Sequence, residues 1–298
     1  MEIRHLLCPT DLSEASTHAA DQARVLAGYY KAQITALHAL TPMALAVSGV
    51  VTSTEEAAEV DRLHHQTWDQ FAAAAAAGVG LEVLVDIGQP VDVILERAAA
   101  LPADLIVMGT HGTSGFQHLV LGSVTEKVLR KAACPVLTVP PRAHATSQLP
   151  FKRLLCAIDV SDASRTELQF ALSLAKHSEA ALTLLNVLEW PWEEPPPPVL
   201  EDLPAEQAVA LAEFRRYLES SAKTRLESLV PNSFPTSQVT TRIRNGKPYA
   251  QILDVATAEQ SDIIIIGVRG RNPLDLALFG STANQVVRRA TCPVLTLR

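Results

Sequence analysis

No run of the 298 residues reaches the ~18–20 consecutive apolar positions that span a bilayer. The N-terminal stretch MEIRHLLCPTDLSEAS lacks the apolar core of a signal peptide. No membrane association and a cytoplasmic location are therefore expected. The four cysteines, Cys8, Cys134, Cys156 and Cys292, form no CxxC pair. That excludes the common zinc spacings and a disulfide framework, and leaves small buried hydrophobes in a reducing compartment. There is no excess of basic charge either. The net charge is −7 and the pI about 5.7, which argues against a nucleic-acid binder.

What is present is enough apolar material for a packed core, 48% against 19% charged, and a sequence that repeats itself once. HLLCPTDLSEAS (5–16) matches RLLCAIDVSDAS (153–164), and ITALHAL (34–40) matches LTLLNVL (182–188), each 148 residues later. From IGQPVDVI (87–94) against RNGKPYAQI (244–252) onward the separation is 158. DLIVMGTHG (104–112) then pairs with DIIIIGVRG (262–270), and ACPVLTVP (133–140) with TCPVLTLR (291–298). The Pro-rich EWPWEEPPPPVLEDLP (189–204) accounts for the extra residues. Two domains follow, 1–140 and 152–298, joined by the linker PRAHATSQLPF (141–151). Two copies are too few for a solenoid, and a tandem pair packing as a pseudo-dimer is expected.

Each half alternates short apolar runs with helical stretches. HLLCPT, ITALHAL, LEVLVDI, DLIVMGT and PVLTVP read as buried parallel strands. Helices are expected at Ser13–Ala27, Thr54–Ala77, Val91–Leu101 after Pro90, and Ser123–Ala133. Ala72–Ala77 reads as a close-packed helix face, and His64-His65 as a polar one. The fold class is α/β: two doubly wound parallel sheets with helices on both faces. Such sheets bind ligands outside the carboxyl ends of their strands.

The loop GTHGTSGFQHLVLGS (109–123) begins at such a strand end and leads into a helix, and GVRGRNPLDLALFGS (267–281) repeats its spacing. A helix N-terminus presents unpaired N–H groups and partial positive charge, and glycines let backbone approach a ligand closely. These parts fit a di- or triphosphate. No lysine follows Gly122 or Gly280, so the P-loop pattern is absent, as are GxGxxG after the first strand and the GxSxG elbow. Asp11 and Asp159, after the first strand of each half, read either as acceptors for a ribose or adenine group or as helix-capping charges.

The glycine spacing G-x2-G-x9-G-(S/T) resembles the ATP-binding signature of the universal stress proteins. It is carried by Gly109, Gly112, Gly122 and Ser123, and again by Gly267, Gly270, Gly280 and Ser281. Asp11, Gly88, Pro90 and 134–137 match the rest of that pattern, as do Asp159, Gly246, Pro248 and 292–295. The resemblance covers nearly the whole chain and implies a tandem member of that family. It implies a five-stranded sheet per domain in the order 3-2-1-4-5, with ATP over strands one and four and Mg2+ or Mn2+ bridging its phosphates. The aspartates would hold the adenosine end. Main chain near His38-Ala39 and Asn186-Val187 would border the base, beside Met108 and Ile266. Val124-Thr125 and Thr282-Ala283 would supply N–H groups. The last strands, Pro135–Val139 and Pro293–Leu297, would pair with one another, and further homodimers are in keeping with the family.

The two loops differ. His111, Thr113, Ser114 and Gly115 in the first stand where the second has Arg269, Arg271, Asn272 and Pro273. Arginines facing phosphate would make the second site the more salt-sensitive, and arginines facing solvent would not. The Pro-rich insertion reads as a strap, a lid or a solvated loop. The function expected is nucleotide-linked regulation in stress adaptation, through a regulatory protein partner the sequence does not identify. The loops offer no evident base for turnover. The rival readings are a slow ATPase or phosphotransfer protein, and a domain holding a lipid or other small ligand in an apolar cleft.

Overall fold

In the computed structural model, residues 3–47, 52–110, 121–141, 151–159, 164–189, 204–268 and 279–298 are described. The chain folds as two compact units, Met1–Phe151 with Val268–Arg298, and Lys152–Gly267.

The first unit runs β1 (His5–Thr10), α1 (Glu14–Tyr30), β2 (Gln33–Leu40), α2 (Pro42–Val47), α3 (Ser53–Ala76), β3 (Leu81–Ile87), α4 (Pro90–Ala100), β4 (Leu105–Gly109), α5 (Ser123–Lys131) and β5 (Val136–Val139). Its strands lie in the order β3-β2-β1-β4-β5 and are parallel. The second unit runs β6 (Arg153–Ala157), α6 (Arg165–Ser178), β7 (Ala181–Leu188), α7 (Ala205–Ser228), β8 (Val239–Asn245), α8 (Pro248–Ala258) and β9 (Ile263–Gly267). Its parallel order is β8-β7-β6-β9. The remaining helix α9 (Ser281–Arg289) and strand β10 (Val294–Leu297) belong to the first unit. Each half of the sequence supplies five strands, β1–β5 and β6–β10, as expected; the compact units divide them six and four, because β10 groups with the first. The sixth is β10, antiparallel to β5 with Leu295 opposite Leu137. The Thr138 hydroxyl donates to the Val294 carbonyl at 3.2 Å and the Thr296 hydroxyl to the Val136 carbonyl at 3.1 Å. The pairing covers an edge that would otherwise present unpaired N–H and C=O groups.

Local sequence explains most of these boundaries. Ser13 caps α1 by accepting from the Ser16 N–H, and Lys31 ends it in the left-handed region at φ 55°. Thr52 and Glu55 form a capping box that starts α3. Pro90 opens α4 and Pro248 opens α8. The short α2 escaped the sequence reading, although Pro42 and Thr41, whose hydroxyl accepts from the Ala44 N–H at 3.1 Å, are a start signal. Ala72–Ala77 is not a packed face: of those residues only Ala74 is buried. The central strands are buried apart from end residues such as His5 and Arg153, with Leu6, Leu7, Ile106, Ile264 and Ile265 inaccessible. β3 and β8, which stand at the two ends of the strand order, are half exposed. α1 packs on α3 and α4 on α5. The crossovers run first one way across the sheet and then the other, so right-handed connections place these pairs on opposite faces.

One device pins the start of the sheet in both units. Asp104 Oδ2 accepts from the N–H groups of Arg4 at 2.7 Å and His5 at 3.0 Å. Asp262 Oδ2 accepts from those of Lys152 at 2.7 Å and Arg153 at 2.8 Å. Asp104→Ala leaves two donors without their acceptor, and should cost about 1–3 kcal/mol; Asp104→Asn should cost less because one oxygen remains. Urea unfolding checks this, with Asp262→Ala as the matched case in the second unit.

Candidate functional site

The carboxyl ends of β1, β2 and β4 and the start of α5 enclose a cavity of about 270 Å³. This is near the lower end of the roughly 300–1,000 Å³ usual for small-molecule sites. Leu37, Ala39, Pro90, Ile94 and Met108 supply an apolar lining, and Thr10, Asp11, Ser16, Ser123 and Thr125 a polar one. Among the described residues lining it, Asp11 is the only charged one.

The α5 end of the cavity is held by backbone. The Gly122 N–H donates to the Thr110 carbonyl at 2.9 Å, and the buried Thr125 hydroxyl donates to the Gly109 carbonyl at 2.9 Å. The far end of the glycine loop is thus fastened to its start at the end of β4. Gly122 is the N-cap of α5 and no side chain caps that helix. Its first turn therefore keeps the partial positive charge of a helix start, facing a cavity it helps to line. Chemically similar fastening recurs at α9, where the Gly280 N–H donates to the Val268 carbonyl at 3.0 Å and again no side chain caps the helix.

The opposite end is a hydroxyl and amide network. Thr10 Oγ1 donates to Gln70 Oε1 at 2.5 Å and accepts from the Leu12 N–H at 3.0 Å. Gln70 Nε2 in turn donates to Ser16 Oγ at 3.2 Å and Thr17 Oγ1 at 2.9 Å. Gln70 thereby braces the β1 end from α3. Asp11 Oδ1 accepts from both the N–H and the hydroxyl of Ser13, at 3.1 and 2.5 Å. Asp11 thus holds Ser13, the N-cap of α1, and also lines the cavity.

Of the residues expected at the first site, Asp11, Met108, Gly109, Gly122, Ser123, Val124 and Thr125 come together around this cavity. His111 and Gly112 lie outside the described residues. Of the pair His38-Ala39, whose main chain was expected to border the base, Ala39 lines the cavity, as does Leu37, and His38 itself does not. Burial holds the His38 imidazole below its ordinary pKa of 6.5, against a backbone hydrogen bond to Thr10 and the Asp11 charge, which act in the opposite direction. Its counterpart Asn186 is buried, and donates from Nδ2 to the Ile158 carbonyl at 2.8 Å. His38→Asn should therefore preserve the contact. Because the unfolded chain takes up the proton first, stability contributed by neutral His38 is complete above about pH 6.5 and declines below it. Unfolding at pH 5 and pH 7.5 should show a smaller pH difference in His38→Asn than in the wild type.

Thr10, Ser16 and Gln70 were missed from sequence. Ser16 carried a signal, since Ser164 repeats it; Gln70 lies where the two copies do not align. Of the second set, Asp159, Asn186, Val187, Ile266 and Gly267 are in the second unit, while Gly280, Ser281 and Thr282 are in the first. Arg269 and Gly270 lie outside the described residues, as do Arg271–Pro273 and most of the Pro-rich insertion. Among the described residues, no group of three or more His, Cys, Asp or Glu is placed to hold a metal. No helix among them is long and apolar enough to cross a membrane. Burial pushes the Cys8, Cys134 and Cys156 thiols up, so none of the three is a ready nucleophile at neutral pH.

The model of the universal stress protein family matches residues 2–140 and again 150–298. A universal stress protein of Mycolicibacterium smegmatis is 26% identical over 300 residues, covering 98% of this chain and 96% of that one. One from Methanocaldococcus jannaschii is 32% identical over 138 residues, covering 46% of this chain and 81% of its own. The crystal structure of a universal stress protein from Archaeoglobus fulgidus superposes with a TM-score of 0.68 at 24% identity, covering 99% of this chain and 96% of that one. That last likeness speaks to the fold.

Proposed function

Because the chain belongs to the universal stress protein family, whose model covers both halves, we propose that it is an ATP-binding regulatory protein whose first unit holds the nucleotide. The observation that carries this reading is the cavity at the strand ends, with an uncapped helix start fastened to β4 at one end and a hydroxyl–carboxylate edge at the other. The apolar lining accepts a flat base. Asp11, Thr10 and Ser16 are groups that recognise hydroxyl and amino donors. The first turn of α5, with Ser123, receives phosphate. Mg2+ or Mn2+ would arrive on the phosphates, since a nucleotide carries its own oxygen ligands.

Regulation would work by population shift: bound ATP favours one arrangement of the surface offered to a partner. Turnover is expected to be slow, because Asp11 is the only charged residue lining the cavity among the described residues and Ser13 already engages it. The test is to denature purified protein and quantify released nucleotide by chromatography, beside calorimetric titration of Mg-ATP into nucleotide-stripped protein. Stoichiometric ATP or ADP supports the reading. No nucleotide, and no binding at millimolar Mg-ATP, removes it and leaves another small ligand as occupant of the apolar lining. ADP released in excess of the protein would move the protein to the slow ATPases.

A further inference from the structure

The hydroxyl network at the β1 end of the cavity continues behind the cavity wall. Thr10 and Ser16 both line the cavity. Both are hydrogen-bonded to Gln70, which belongs to α3. A third bond runs from Gln70 Nε2 to Thr17 Oγ1 on α1. Through one side chain, α3 is tied to the two hydroxyls that an occupant of the cavity would meet.

The polar seat of α3 is only partly made. Thr67 lies three residues before Gln70 and is inaccessible to solvent. Among the described residues, its hydroxyl has no hydrogen-bond partner. A buried hydroxyl left unmet opposes the seated position of its helix. Gln70, with its three bonds, favours that position. Leu63, Phe71 and Ala74, all buried, hold α3 on the rest of the unit by apolar contact, where it packs on α1, β2 and β3. The two opposed polar terms are the part that a ligand can tip. A ligand donor placed on Thr10 Oγ1 makes the Thr10 hydroxyl a better donor to Gln70, because linked hydrogen bonds polarise one another.

We propose that α3 responds to occupancy of the cavity: Gln70 seats the helix more firmly when nucleotide is bound, and Thr67 loosens it when the cavity is empty. The inference rests on the nucleotide reading of the first cavity, and it names the element whose populations the nucleotide shifts. Gln70 is a positioning residue in this scheme. Coupling of this kind is reciprocal. Whatever seats α3 must also tighten binding, and whatever unseats it must weaken binding.

Hydrogen exchange of the full chain, stripped of nucleotide and then saturated with Mg-ATP, tests this beside calorimetric affinities. In the wild type, amides of α3 (Ser53–Ala76) are expected to exchange about fivefold or more slowly once ATP is bound. Gln70→Leu cuts the tie. It should lose most of that response and bind ATP about fivefold or more weakly. Thr67→Val keeps the branched shape and removes the unmet hydroxyl. It should slow exchange in the empty protein and bind ATP more tightly, although Thr67 is not among the residues lining the cavity. A helix with no tie to the cavity would instead raise the unfolding midpoint in Thr67→Val and leave affinity unchanged. Thr67→Val also decides the matter where Gln70→Leu folds poorly. ATP binding with no change in α3 exchange would overturn the proposal, as would wild-type affinity in both folded variants. No heat of ATP binding to the wild type would be the failure of the nucleotide reading, and this proposal would fall with it; binding without a response in α3 is the failure of this proposal alone.

Discussion

With Ser123 replaced by aspartate, ATP affinity should fall by about 100-fold or more while the protein becomes no less stable. The two effects have one cause and opposite signs. Ser123 is the first residue of α5, is exposed, and lines the cavity. No side chain caps this helix, so a carboxylate in its first turn meets the partial positive charge of the helix start, worth about 0.3–1 kcal/mol. The same carboxylate stands where phosphate would bind. Two unit charges about 4–5 Å apart, at an effective dielectric near 20, repel by about 3–4 kcal/mol, and every 1.4 kcal/mol is roughly tenfold. Thermal unfolding should show an unchanged or raised midpoint, and calorimetry the affinity loss. The loss should shrink as salt is raised. Ser123→Ala removes only a hydroxyl and should cost a few-fold. An aspartate variant that binds ATP within a few-fold of wild type would remove the anion from this helix start.

The second large effect belongs to Gly267→Ala. Gly267 is not among the residues with positive φ, so alanine fits the backbone there. The conflict lies in the side chain: the new Cβ would fall 2.1 Å from Glu167 Oε1. Glu167 is buried and must be driven from its place, an overpacking expected to cost about 1–3 kcal/mol. Removing the carboxylate first should remove most of that cost. In a double-mutant cycle, Gly267→Ala is therefore expected to be nearly silent in the Glu167→Ala background, with a coupling of about 1–3 kcal/mol. Urea unfolding of the four proteins measures it. Equal costs in both backgrounds would mean that the contact is not what requires glycine.

What could be read from sequence divides along physical lines. The strands were legible because buried parallel strands are short apolar runs, and HLLCPT and LEVLVDI coincide with β1 and β3. The first site was legible because the glycine spacing marks a strand end and a helix start, which the fold then brings together. Gln70 was not, because nothing in a helix's own sequence says which side chain reaches another element's strand end. Glu167 was not, because an acidic residue in the first turn of a helix reads as a partner for the helix dipole. Its burial is a tertiary fact. The half-exposed β3 and β8 follow from their outer positions, which composition alone does not disclose.

The antiparallel seam between β5 and β10 has a consequence for synthesis. Thr138 waits for Val294. At about 5–20 residues per second, roughly 8–30 s separate the emergence of the two strands from the ribosome. Throughout that interval the nascent first unit carries an open β edge, Val136–Val139, made of three branched apolar residues and a threonine. Pairings between residues so distant in the chain are also slow to find. Protection of the early chain is therefore needed most before the last strand exists, and truncation ahead of β10 should leave a protein prone to join its edge to another copy's.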